Sequence, residues 1–113
     1  MKLVKEKITI KELREMANNM FGNLVKAVVD IEKEIFVVDA ELHSDQEAFL
    51  LEQGSNQENL WGINIYPELD KEERIEFDSM INLRPSQGNM SRSVDDVNIQ
   101  KKILEIVKSK IVE

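Results

Sequence analysis

In Leu60-Trp61-Gly62-Ile63-Asn64-Ile65-Tyr66 and in Ile75-Glu76-Phe77-Asp78-Ser79-Met80-Ile81-Asn82-Leu83-Arg84, apolar and polar positions alternate. Successive side chains of a strand point to opposite faces, so this pattern constrains both segments to extended chain lying on a core. Read as the two strands of a hairpin, they put Ile75, Phe77, Ile81 and Leu83 on one face. Asp78, Asn82 and Arg84 then share the other. The intervening Pro67-Glu68-Leu69-Asp70-Lys71-Glu72-Glu73 reads as an acidic loop in water.

Elsewhere the chain punctuates itself with helix signals. Thr9-Ile10-Lys11-Glu12 has the pattern of a capping box, and Ile8 and Leu13 have the spacing of a hydrophobic staple. Ile10, Leu13, Met16, Ala17, Met20 and Phe21 recur at helical spacing, and Gly22 offers a left-handed stop. A second box, Ser44-Asp45-Gln46-Glu47, opens a short helix that ends at Gly54, and Ser93 can cap a last helix carrying Val97, Ile103, Leu104, Val107 and Ile111. Leu3-Val4 reads as a short strand. Leu24–Ile31 and Ile35–Ala40 read as a hairpin, and the apolar run Ile35–Val38 as a strand covered on both faces. The expected fold is α+β, one domain over residues 1–113: an antiparallel sheet of about four strands in two hairpins. Two main helices and one short helix pack on one side of it.

Composition narrows function mainly by exclusion. With 113 residues, 42% of them hydrophobic, the chain can build a core without staples. Zero cysteines exclude disulfides, thiolate catalysis and thiolate zinc sites. No apolar run approaches the ~18 residues of a membrane span, and Met1–Lys7 lacks the apolar stretch of a signal peptide. A cytoplasmic protein is expected. A net charge of −7, with Lys and Arg interleaved among Asp and Glu, argues against nucleic acid as a partner.

Three groups of residues have chemistry to offer. The only histidine, His43, stands between Glu41 and Asp45; on extended chain the trio could ligate a divalent metal or orient His43 as a base, although the spacing matches no usual zinc motif. A histidine packed before a helix, with Asp45 answering the helix dipole, explains the same residues without function. The second group is Asn64, Tyr66, Asp78, Asn82 and Arg84 on the polar side of the alternating hairpin, where Arg84 could grip a carboxylate or phosphate. A solvated sheet face is the plain alternative. Asparagine is disfavoured in strands, though, so these asparagines call for compensation by hydrogen bonds or by a ligand. The third is the Arg84–Ser93 loop, with Asn89 and Arg92. It resembles an anion cradle only in general character: Gly88 stands alone, no lysine follows, and neither a Walker loop nor a dinucleotide fingerprint is present. No cofactor is expected. Asp95 and Asp96, expected in the first turn of the next helix, would repel a phosphate and could pair with Arg84 or Arg92.

Ala40-Glu41-Leu42-His43, Leu60–Pro67, Ile75–Asn82 with Arg84-Pro85, and Gly88-Asn89 with Ser91-Arg92 resemble a family of short uncharacterised prokaryotic proteins, a domain of unknown function. The resemblance covers nearly the whole chain and implies no activity, cofactor or site residue. Two readings of function follow from the residues. The first is a binding or interaction module that uses the polar face and the Arg84–Arg92 loop to hold a small anionic ligand, a protein partner or a second copy. The second is a small hydrolase or transferase acting on an anionic substrate, metal-assisted or not, with His43 or Asp78 as base and Arg84 or Arg92 neutralising charge.

Overall fold

The computed structural model describes residues 1–113. Along the chain run β1 (Lys2–Val4), β2 (Ile8–Thr9), α1 (Ile10–Asn19), β3 (Val25–Asp30), β4 (Ile35–Val38) and α2 (His43–Glu52). There follow β5 (Leu60–Ile65), β6 (Ile75–Glu76), α3 (Val97–Lys110) and β7 (Ile111–Val112). The main sheet is five-stranded and antiparallel, in the order β1-β4-β3-β5-β6, while β2 and β7 form a small parallel pair. The fold is α+β, with one strand more in the sheet than expected. No helix is long and apolar enough to cross a membrane.

Local signals explain the first half of the chain. Thr9 Oγ1 accepts from the Glu12 backbone N–H at 3.0 Å, and Glu12 Oε1 accepts from the Thr9 N–H at 3.3 Å, completing the expected capping box. Ile8 and Leu13 on either side of it are buried. Gly22, at φ 92°, donates its N–H back to the Ala17 carbonyl at 2.6 Å and ends α1 in a conformation that side chains resist. The β3–β4 turn is held by Asp30, whose Oδ1 accepts from the N–H groups of Glu32 and Lys33, both at 2.9 Å. Its Oδ2 accepts from Ser55 Oγ at 2.6 Å, tying the turn to the end of α2.

The two faces of the sheet are covered differently. Val25, Ala27 and Val29 of β3 join Phe36, Val38, Trp61, Ile63 and Ile65 in a cluster of 17 buried residues that α1 and α3 complete through Leu13, Ala17, Ile103, Ile106 and Val107. On the opposite face only 4 buried residues cluster, namely Val28, Val37, Leu60 and Leu50 of α2. At about 1.5–3 kcal/mol per large buried side chain, most hydrophobic stabilisation therefore lies on the α1/α3 face. The expectation of helices on one side is corrected here. The two-faced apolar run Ile35–Val38 needs cover on both sides, and α2 supplies the second.

Three local expectations are also corrected. Strand β6 stops at Glu76, and the rest of the alternating segment turns through a 3₁₀ turn at Met80–Asn82, followed by another at Pro85–Gln87. Ile75 and Phe77 accordingly pack on the α1/α3 cluster, Ile81 on the α2 cluster, and Leu83 is exposed. Helix α2 begins at His43, not after Ser44; its N-cap is Leu42, with no side-chain hydrogen bond. Helix α3 is capped by Asp96, whose carboxylate accepts from Asn98 N–H at 2.8 Å, so Ser93 is not the cap.

Candidate functional site

Gly62 decides how the α2 face is built. The register Asn64↔Glu76 and Ile65↔Ile75, carried two residues further, would set residue 78 opposite Gly62. Instead the side-chain amide of Asn82 takes that place. Gly62 N–H donates to Asn82 Oδ1 at 2.8 Å, and Asn82 Nδ2 donates to the Gly62 carbonyl at 2.9 Å and to the Arg92 carbonyl at 3.0 Å. A primary amide carries the same donor and acceptor as a peptide group, so one side chain replaces a rung of ladder. The chain is thereby free to cross over β5. A Cβ on Gly62 would lie 2.5 Å from Ser79 Cβ, so the absent side chain is what lets Ser79 settle on the strand.

Asn89 extends the same device. Its Nδ2 donates to the carbonyls of Asn82, Ser91 and Ser93 at 2.7, 3.1 and 2.8 Å, and its Oδ1 accepts from Asp95 N–H at 2.8 Å. Both asparagines are buried with their amides engaged by backbone, so the compensation expected for Asn82 is internal. Arg84 is engaged as well. It lies over the Trp61 ring at 4.2 Å from the centroid and donates to the carbonyls of Gln57 and Leu60, the latter at 2.6 Å. Burial lowers its affinity for a proton, partly offset by Glu47. It pairs with neither Asp78 nor Asp95.

What this framework leaves open is a cleft of about 210 Å³ on the α2 face. Lys26 of β3 and Asn64 of β5, cross-strand partners in the ladder, lie at its side nearest the sheet. Leu42, His43 and Ser44 at the start of α2 form one wall, and Asp78–Ile81 with Arg92 form the other. His43, Asn64, Asp78 and Arg92, four of the residues singled out in the sequence, thus converge. Lys26, Ser44 and Ser79 were not foreseen. Lys26 carried a signal, as the one charged residue within the otherwise apolar Leu24–Val29.

The groups in the cleft have defined chemistry. His43 Nε2 lies 2.8 Å from the Ile63 carbonyl, which can only accept, so Nε2 carries the hydrogen and Nδ1 keeps its lone pair. Burial pushes its pKa below the ordinary histidine value; the carbonyl bond and Asp78 oppose that shift, and Lys26 and Arg92 add to it. The imidazole is neutral at neutral pH. Arg92 Nε donates to Asp78 Oδ1 at 2.8 Å. The first two N–H groups of α2, those of His43 and Ser44, have no capping side chain. Asn64 is oriented by Glu76: Nδ2 donates to the Glu76 carboxylate at 2.8 Å and to the Asp78 carbonyl at 3.4 Å. The amide cannot flip without setting oxygen against carboxylate, so Oδ1 is fixed on the other side, buried and without a partner.

Residues 2–110 match the family described as Protein of unknown function (DUF5674). The chain belongs to this family. No curated protein and no solved structure matches it. In this DUF5674 chain the remaining candidates lie apart from the cleft. Tyr66 donates to Glu76 at 3.0 Å, and burial and that carboxylate raise its pKa. Glu41 and Asp45 are exposed, and no group of three histidine or acidic side chains could hold a metal ion. The extended chain assumed for the Glu41–His43–Asp45 trio ends where α2 begins. On a helix, positions two apart diverge by about 200°.

Proposed function

We propose that this domain binds a small anionic ligand in the cleft between the start of α2 and the Asp78–Ile81 segment. The observation that carries the reading is the uncapped N-terminus of α2 opening into a cleft that Lys26 and Arg92 also line. Free N–H groups at a helix start attract negative charge, and Lys26 reinforces them; Arg92 adds its charge in a pair with Asp78 of the same lining, and Asp45 stands in the first turn of the helix. The surrounding protein carries a net charge of −7, so a positively biased cleft is a local departure from its surface. A cytoplasmic setting, expected from the sequence, belongs to the proposal.

The test is thermal unfolding of the purified protein with acetate, propionate and inorganic phosphate, repeated on Lys26→Ala and Arg92→Ala. A ligand at a hundred times its Kd stabilises the native state by about 2.7 kcal/mol. Stabilisation of the wild type that both variants weaken supports the reading. Equal response in all three proteins, or none in any, removes it.

A second reading has one observation in its favour, the fixed tautomer of His43. A neutral imidazole with a bare Nδ1 is equipped to take a proton from a bound substrate, as a small hydrolase or transferase requires. Arg84, held against Trp61, drops out of that scheme, and Arg92 alone serves as the neutralising guanidinium. Turnover of an anionic ester that His43→Gln abolishes, while anion binding persists, would favour it.

A further inference from the structure

Arg74 stands immediately before β6, with its side chain only 9% exposed. Burying a guanidinium is costly unless a carboxylate answers it. The answer comes from Glu113, just past β7. Arg74 Nη1 and Nη2 donate to its two carboxylate oxygens at 3.0 and 3.2 Å, a planar fork that matches carboxylate geometry. Ile75 and Ile111, which pack on the α1/α3 cluster, wall this pocket, and Lys71 and Lys108 complete its lining.

The two partners are held unequally. The Glu113 side chain is 48% exposed, and the fork is its only hydrogen bonding. The strand before it has two residues, paired in parallel with Ile8 and Thr9. Glu113 can therefore return to water at little cost, while Arg74 stays buried. The binding half is built into the fold, and its occupant is not.

Charge identifies what else would fit. Lys108 is shared with the exposed Glu72 at 3.4 Å, and Arg14, whose charge also reaches Glu113, is answered by Glu68 at 2.8 Å. Lys71 is exposed and makes no ion pair. With Glu113 withdrawn, Arg74 and Lys71 are both unanswered, each calling for a carboxylate. A free monocarboxylate only repeats the contact that Glu113 makes from within the chain, where its effective concentration is high. A dicarboxylate adds Lys71. With Glu113 in place the cavity is about 20 Å³, room for a single water, so a ligand enters only when that side chain leaves.

We infer that this pocket is a dicarboxylate site that Glu113 keeps closed as an internal ligand. One carboxylate of the ligand takes the Arg74 fork in place of Glu113, and the other lies at Lys71. The site is separate from the α2 cleft and does not depend on the reading of that cleft.

The experiment is an amide NMR titration of the full chain with succinate at fixed ionic strength, with propionate as the monocarboxylate control. Succinate should give saturable shifts at Lys71, Ile75, Lys108 and Ile111, and propionate should leave these amides unmoved. Glu113→Ala, checked for folding by its melting curve, should bind succinate about tenfold or more tightly, the factor lost by a site closed about nine-tenths of the time. Lys71→Ala, a change at an exposed position, should weaken succinate at these amides to the level of propionate. If Glu113→Ala fails to fold, the wild-type and Lys71→Ala titrations decide. Succinate shifts confined to other residues, or an affinity unchanged in Glu113→Ala, would overturn the site and leave Arg74–Glu113 as a structural clasp.

Discussion

The two faces of the sheet are made by different means. On the α1/α3 face, side chains of β3, β4 and β5 at every second position meet apolar residues of two helices, and burial of hydrocarbon does the work. On the α2 face the apolar cluster is small, and the cover is fastened by side-chain amides. Asn82 holds Gly62, Asn89 holds the carbonyls of Asn82, Ser91 and Ser93, and Gln46 Nε2 donates to the Lys26 carbonyl at 2.8 Å. Apolar packing closes a surface. Directed hydrogen bonds instead fix a backbone path and leave gaps beside it, and the cleft is such a gap. The face with less hydrophobic burial is the one with room for chemistry.

Mutations can break this contrast. Asn82→Ala orphans the buried N–H and C=O of Gly62, and at about 1–3 kcal/mol for each group the expected loss is about 2–6 kcal/mol. That equals the about 2–5 kcal/mol expected for Ile63→Ala in the opposite core. Urea denaturation of both variants checks the parity; a loss below about 0.5 kcal/mol for Asn82→Ala would show that the amide is not structural. Next in size is Gly62→Ala, whose new Cβ falls 2.5 Å from Ser79 Cβ. Overpacking of this kind costs about 1–3 kcal/mol, and Gly62→Ala with Ser79→Gly should recover most of it in a double-mutant cycle.

The pH dependence sharpens the contrast on the α2 face. Burial holds His43 below its unfolded pKa, so the unfolded chain binds a proton that the native protein resists. The sign follows: this contribution to stability is fully present above the unfolded histidine value of about 6.5 and is lost as pH falls from there toward the lower native value. Melting temperatures should decline over that interval, and less so in His43→Gln. The smallest effect belongs to the exposed Lys102–Glu34 pair at 3.6 Å. Lys102→Ala should change stability by no more than about 0.5 kcal/mol.

Much of the α1/α3 face was legible in the sequence because its signals are local. The Thr9–Glu12 box acts over three residues, and the alternation in Leu60–Ile65 sorts its own side chains. Hydrophobic periodicity in Ile10–Ala17 then names the face that α1 buries. The α2 face was legible only in fragments. Alternation in Ile75–Arg84 marks chain that could pair, but whether it pairs depends on Gly62 and Asn82, 20 residues apart and bonded through a side chain. The unusual asparagines did signal a demand for hydrogen bonds. Nothing local showed that backbone groups would meet it at Asn82 while Asn64 kept an unpartnered oxygen. His43 and Arg92 could be suspected singly, but their convergence with Lys26 is a product of the fold.

The central claim is that the cleft beside α2 is a binding site and that the rest of this face is scaffold. The most direct measurement is an amide NMR titration of the ¹⁵N-labelled protein with propionate. The account predicts saturable shifts at Lys26, His43, Ser44, Asn64 and Ser79, with the β3–β4 turn and α3 unmoved. Shifts confined to other surfaces, or a spectrum unchanged at high propionate and again with inorganic phosphate, would contradict it.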